Sequence, residues 1–91
     1  MALGTVTLDF GSSLTQDAQV DVTSSGLSSG SHIEGWVQRD STADNNTTAH
    51  EMLAFFCRFV CEFLTATTFR LYARVDGVLT RGQYTIHWGH N

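Results

Sequence analysis

The two cysteines of this 91-residue chain lie four positions apart in an apolar stretch, FFCRFVCEF, over residues 55–63. Thiolates bind metals, exchange disulfides and act as nucleophiles, so Cys57 and Cys61 are the first candidates for chemistry. On a β-strand both would point to one face about 13 Å apart, whereas a disulfide needs Cα atoms within about 7 Å. On a helix they could supply two zinc ligands, but zinc wants four and the histidines show no paired spacing. We interpret both thiols as reduced core residues, with no metal or other cofactor.

His50 and Glu51 have the side-chain types of a general acid–base pair, with Asp44 nearby in the chain. They lack a nucleophile with a defined approach, a glycine-rich phosphate loop and convergent carboxylates. We therefore interpret this stretch as a solvent-exposed loop and predict that the protein is not an enzyme.

Asp40, Asp44 and Asn45 carry oxygen atoms of the kind that calcium prefers. Their pattern does not match the EF-hand loop, so we predict no metal site there. Their place in a long polar loop instead suggests contact with something outside the domain.

Aromatic side chains form the last group of candidates. Trp36, Tyr84 and Trp88 could stack against a sugar, because aromatic faces pack on apolar ligand faces, or they could be core or subunit-contact residues, which we favour. The residues kept as candidates for a protein interface or a ligand are Trp36, Asp40, Asp44, Asn45, His50, Tyr84 and Trp88.

Composition excludes some partners. The net charge is −4, and all five basic residues are arginines. A protein that tracks phosphates needs a dense basic face, and one that binds anionic membranes needs a polybasic patch, so we predict neither nucleic acid nor membrane as a partner. Charged residues at 51, 58 and 62 interrupt the apolar run, which is too short to span a bilayer. No secretory signal is visible, which predicts folding in a cytosol.

Alternation of apolar and polar residues indicates β-strands over most of the chain. The predicted strands cover residues 2–10, 18–23, 32–39, 69–75 and 83–88. A polar loop over 40–50 separates the third strand from the apolar stretch. Asp76 and Gly77 predict a tight hairpin, since such pairs adopt the positive φ angles of that turn.

Residues 48–64 fit two templates. Thr48 and Glu51 have the spacing of a capping box, and apolar residues follow at helical intervals. In the strand template one face holds Phe55, Cys57, Phe59, Cys61 and Phe63. We favour a strand, because four phenylalanines in nine residues suit a pleated surface and strand patterns flank the segment. A short capped helix over 48–54 leading into it stays open.

These elements predict an all-β fold: a small antiparallel β-sandwich of six to eight strands, in a single domain over residues 1–91, with the 40–50 loop projecting from one end. The predicted inner faces hold Val6, Leu8, Phe10, Val20, Val22, Ile33, Val37, Cys57, Phe59, Cys61, Phe69, Leu71, Val75, Ile86 and Trp88.

Four segments, GSHIEGW (30–36), DSTADN (40–45), TFRLYA (68–73) and GQYTIHW (82–88), resemble small all-β virion proteins of tailed bacteriophages. The resemblance implies a structural role in the virion, as a capsid decoration (cement) protein or a component of the tail or its fibres. The expected partners are other virion proteins, namely major capsid or tail proteins, and further copies of the chain in a homo-oligomer assembled in the host cytoplasm. The alternative is a carbohydrate- or receptor-binding module of the tail.

Overall fold

The structure, a computed structural model, describes all residues from 1 to 91 and contains two antiparallel sheets and one helix. The sheets have three strands each, in the orders β1-β6-β3 and β2-β5-β4, and pack face to face. The elements are β1 (Ala2–Asp9), β2 (Asp17–Thr23), β3 (Ile33–Trp36), α1 (Thr47–Phe56), β4 (Cys57–Thr65), β5 (Thr68–Val75) and β6 (Gln83–His90). The predicted small β-sandwich is confirmed, with six strands.

The chain passes repeatedly between the two sheets. Only the connection from β4 to β5 is a hairpin within one sheet, and each other connection between consecutive strands crosses to the opposite sheet. The predicted hairpin at Asp76 and Gly77 is therefore wrong. Gly77 does turn with φ 78°, but Thr80 then bridges to Thr15 and β6 joins the other sheet. Turn chemistry predicts the change of direction and carries no information about which sheet receives the next strand.

The core lies between the inner faces of the two sheets. Phe69 and Trp88 meet edge to face near its centre, with ring centroids 5.5 Å apart. The buried apolar residues are Leu8, Phe10, Val22, Leu27, Leu53, Phe69, Leu71, Ala73, Val75, Tyr84, Ile86 and Trp88. The other predicted inner-face residues, Val6, Val20, Ile33, Val37, Cys57, Phe59 and Cys61, pack against this cluster and are partly buried.

The ambiguous stretch contains both a helix and a strand. The side chain of Asn46 accepts the backbone N–H of Ala49 at 2.9 Å and caps α1. The helix thus begins two residues before the position that the capping-box pattern indicated. Our strand prediction holds from Cys57 onward but is wrong for Phe55 and Phe56, which form the last turn of α1. Up to Phe56 the apolar residues follow helical spacing, which places Leu53 in the core, and from Cys57 onward they alternate as in a strand.

Candidate functional site

One edge of β6 is covered by side chains where a strand is missing. β3 pairs only with residues 87–90 of β6. On the same edge the backbone N–H groups of Gln83 and Thr85 and the carbonyl of Gln83 need other partners, because buried or half-buried backbone groups are costly to leave unpaired. The loop after β3 and the first turns of α1 provide these partners.

Asp44 and Asn45 hold the loop against the start of β6. Asp44 Oδ2 accepts the backbone N–H of Gln83 at 2.9 Å. Asn45 Nδ2 donates to the carbonyl oxygens of Gln83 at 2.9 Å and Arg81 at 3.1 Å. Thr42 Oγ1 donates to the same Gln83 oxygen at 2.7 Å. The expectation of a projecting loop is wrong, because these bonds lay it along β6.

His50 continues the same edge. Its side chain is fully buried, with Nε2 3.0 Å from the backbone nitrogen of Thr85 and Nδ1 3.0 Å from the carbonyl oxygen of Asn46. Because an amide N–H only donates, Nε2 must be the acceptor, and Nδ1 donates its proton to the Asn46 oxygen. The interpretation of His50 as a solvent-exposed loop residue is wrong. The helix turns this side chain inward to a backbone group that no strand reaches.

The three candidate aromatics lie on two faces of one sheet. Alternation along β6 points Tyr84 and Trp88 into the core, where both are buried. Trp36, on β3, is partly buried and lies opposite His87 in the register, on the outer face. A stacking platform made of all three side chains is therefore absent from this fold.

Trp36 belongs to a different cluster on the outer face. Its indole ring stacks on the imidazole of His87, with centroids 6.2 Å apart and planes 20° apart. His87 Nε2 lies 2.7 Å from Asp40 Oδ2. Asp40 was among the predicted candidates and His87 was not. Their pairing could not be read from the sequence, because the two residues are 47 positions apart. Beside this cluster is an open groove of about 430 Å³ whose lining includes Trp36, Leu3 and Gly89.

An exposed apolar area covers the end of the sandwich where α1 lies. We call it the helical-end surface and define it by Met52, Phe55, Phe56, Val78 and Leu79, all large exposed apolar side chains. Met52, Phe55 and Phe56 share one side of the helix by their spacing. Met52, Phe56 and the two residues of the β5–β6 connection line a cavity of about 240 Å³.

The sequence carried a signal for this surface that we did not use. The helix template leaves Phe55 outside the core, and the structure shows that residue 75% exposed. The strand template instead placed Phe55 on the inner face. None of the five residues was among the predicted candidates.

Both thiols are free and half-buried, on the inner face of β4, in agreement with their interpretation as core residues. Burial raises the pKa of Cys57 and of Cys61 to about 11 from the ordinary value of 9.0. Thiolates are the reactive form, so both side chains are poor nucleophiles at neutral pH.

Charged residues cover the outer face of the other sheet, β2-β5-β4. Arg70 Nε lies 2.6 Å from Asp21 Oδ1 and lowers the pKa of that carboxyl through their hydrogen bond. Arg58 Nε lies 2.8 Å from Asp76 Oδ2. Tyr72 donates its hydroxyl to Glu62 Oε1 at 2.8 Å.

Comparison with known proteins gave no family model, no curated protein and no solved structure that matches the chain. No cluster of three or more His, Cys, Asp or Glu side chains has the arrangement of a metal site. The single helix is not of the length and apolarity that crossing a membrane requires.

Proposed function

We propose that this protein is a virion structural protein of a tailed bacteriophage, a capsid decoration (cement) protein that acts by binding other virion subunits and copies of itself. The helical-end surface is the observation that supports the proposal. Contiguous exposed apolar patches of this kind are uncommon on proteins that work alone and mark sites of contact with other proteins.

The chemistry of the helical-end surface suits a protein partner. Aromatic residues and methionine are enriched at protein interfaces, and the surface offers Phe55, Phe56 and Met52 together on one side of a helix. The cavity lined by Met52 and Phe56 provides a recess into which an apolar side chain of a capsid subunit would fit. The phage assignment itself comes from the four resembling segments, and the virion is the location that follows from it.

Co-sedimentation with phage particles tests the proposal. Assembled tailed-phage shells that lack their decoration protein, and isolated tails, would be mixed with the purified protein and pelleted through sucrose. We expect saturable, stoichiometric binding to shells. Phe55→Ser should weaken this binding at least about tenfold, because truncating a buried interface aromatic costs 2 kcal/mol or more.

A matched control is Leu3→Ser, which removes an apolar side chain of similar exposure, 67%, from the outer face of the other end of the molecule. It should bind shells as the unaltered protein does, and both variants should unfold at the same denaturant concentration. Failure to bind shells would contradict the decoration role. If both substitutions weakened shell binding equally, the helical-end surface would not be the part of the protein that contacts the shell.

A carbohydrate- or receptor-binding module of the tail is the second candidate, and the groove beside Trp36 favours it. The partly buried indole of Trp36 lines this groove with Gly89 and Glu34, which combines an aromatic side chain with a polar acceptor. Glycans that quench tryptophan fluorescence, with the response lost in Trp36→Ala, would support this function. Trp88 is buried, so its emission reports whether the fold persists.

A further inference from the structure

The outer edge of β4 has no partner within the chain. β4 lies at the end of its sheet and pairs only with β5. The carbonyl of Phe56 accepts the N–H of Asp76 at 2.9 Å, so even-numbered residues direct their backbone groups to β5. By alternation the N–H and C=O groups of Phe59, Cys61 and Phe63 point away from the sheet.

This edge carries little of the protection that sheet edges usually have. Proteins blunt such edges with lysine, proline, a bulge or a covering segment, because an unpaired row of backbone groups is a template for another strand. The chain has neither lysine nor proline. The only irregularity in β4 lies at its far end, between Phe63 and Thr65. The regular part of the strand is therefore Cys57 to Phe63.

The side chains of Cys57 to Phe63 are complementary to those of a second, antiparallel copy of the same segment. Its midpoint is Val60, which lies on the outer face and is 63% exposed. When two such strands run antiparallel about a two-fold axis at Val60, Arg58 of each copy faces Glu62 of the other. On the inner face Phe59 faces Cys61 in the same way. In this register odd-numbered residues face odd-numbered residues. Because these residues carry the free backbone groups, the two edges can form about six hydrogen bonds.

Charges on the outer face support the same register. Three cross-strand neighbours form a row at one end of the sheet: Asp17, Arg74 and Arg58. Its formal charge is −1 + 1 + 1, or +1. A second row consists of Asp21, Arg70 and Glu62, with a formal charge of −1 + 1 − 1, or −1. Pairing about Val60 joins the first row of one copy to the second row of the other, and the formal charges of these six residues cancel. Asp76, the ion-pair partner of Arg58, lies beside the first row and is not part of this sum.

The facing side chains also have atoms free for the contact. Arg58 uses Nε for Asp76, which leaves its two terminal nitrogen atoms. Glu62 uses Oε1 for the Tyr72 hydroxyl, which leaves Oε2. Registers centred one residue away lose this match. About Cys61, for example, Arg58 would face Leu64 and Glu62 would face Val60.

We propose that two copies of this chain pair through the free edges of their β4 strands, antiparallel and in register about Val60, to make one continuous six-stranded sheet. Strand addition at an exposed edge is a common mode of recognition, and a two-fold interface is self-complementary. The half-buried inner side chains of β4 would gain cover from the second copy. The inference rests on the self-association that forms part of the proposed function, and it names the surface responsible.

A charge exchange tests the register. In Glu62→Arg each copy would place arginine opposite Arg58, and in Arg58→Glu each would place glutamate opposite Glu62. We expect each variant alone to dimerise at least about tenfold more weakly than the unaltered chain, since like charges directly opposite repel. An equimolar mixture of the two variants should recover dimers, and so should the double variant Arg58→Glu/Glu62→Arg. Sedimentation equilibrium measures all four samples.

Cross-linking tests the same register without relying on charge. Val60→Cys, in a chain with Cys57→Ala and Cys61→Ala, should form a disulfide-linked dimer on mild oxidation, because directly opposed Cα atoms of a non-hydrogen-bonded pair lie about 4.5 Å apart. Gln19→Cys in the same background is the control, since it lies on the same face but on β2. Glu62→Cys should cross-link to Arg58→Cys and not to itself.

An unaltered chain that stays monomeric up to about 1 mM would overturn the inference. So would a dimer that neither responds to the charge exchange nor cross-links at Val60. Circular dichroism and the double variant separate a lost interface from a lost fold. If the protein were a monomer that still binds phage shells, the β4 pairing would be wrong and the decoration role would be retained. If it were a β4-paired dimer that does not bind shells, the pairing would be retained and the decoration role would be wrong.

Discussion

His50 Nε2 accepts the backbone N–H of Thr85 at 3.0 Å, so an imidazole from α1 occupies the place of an absent strand beside β6. The interaction joins the helix to the central strand of one sheet. It also brings the side chain against the ring of Tyr84, with centroids 5.0 Å apart. The helix is therefore held to the sheet by a buried polar contact as well as by its buried apolar residue Leu53.

Replacing His50 with alanine should lower the free energy of unfolding by about 3 kcal/mol. The substitution leaves a cavity in a fully buried position and leaves the Thr85 N–H without its partner, whereas the Asn46 carbonyl keeps the backbone N–H of residue 50. Urea unfolding measures the change. His32→Ala is the control, because that side chain is 74% exposed and its loss should alter stability by less than about 0.5 kcal/mol. Similar values for both substitutions would contradict the structural role of His50.

Alanine at Gly82 should destabilise the protein by about 2 kcal/mol or more. Gly82 has φ 81°, and a Cβ there would lie 2.8 Å from the Cβ of Asp44, displacing the loop from β6. Gly11→Ala is matched in backbone geometry, with φ 90°, but its Cβ would meet nothing within 4 Å. That control should cost about 1 kcal/mol from backbone strain alone. Thermal unfolding of the pair isolates the contact, and equal losses would show that Asp44 is easily moved.

Gly4→Ala should cost about 2 kcal/mol through overpacking against Trp88. The added Cβ would overlap the indole ring of Trp88, coming within 2.8 Å of Cε2. Near-ultraviolet circular dichroism should change as well, because the ring must shift in the core. Gly30→Ala adds its methyl group to open space and should leave both the spectrum and the stability unaltered. An unchanged tryptophan signal in Gly4→Ala would contradict the close packing of Trp88 against Gly4.

The thiols should make stability fall in alkaline solution. The pKa of each cysteine is raised to about 11 in the folded chain, from 9.0. The unfolded chain therefore loses these protons first, and stability falls from pH 9 toward pH 11. In the folded protein, alkylation by iodoacetamide should keep accelerating over this range, whereas in urea it should level off near pH 9. The double variant Cys57→Ala/Cys61→Ala should show a shallower fall, and an identical slope would contradict the raised values.

The strands were predictable because each has one buried face. Val6 and Leu8 alternate with threonines in β1, and Leu71 and Val75 alternate with arginines in β5. Apolar residues at every second position therefore predict which side chains are buried. No such signal gives the sheet to which a strand belongs. The wrong hairpin at Asp76 shows this, since the next strand crosses to the opposite sheet.

The polar contacts of the candidate residues were not predictable from local sequence. His50 bonds to a residue 35 positions away, and Asp44 to one 39 positions away. Both contacts exist because β3 ends after four residues and leaves the edge of β6 unpaired. Such a contact requires the register of the whole sheet, and in isolation Asp44 resembles a calcium ligand and His50 a general acid–base residue.

The alternation of consecutive strands between the two layers has a kinetic consequence. Apart from the β4–β5 hairpin, each strand pair closes a long loop before it gains any interaction. Because most strand pairs join distant parts of the chain, the domain should fold in milliseconds to seconds. During that interval the hairpin holding β4 is the part most ready to form, and it would present its unpaired edge before the rest of the domain exists.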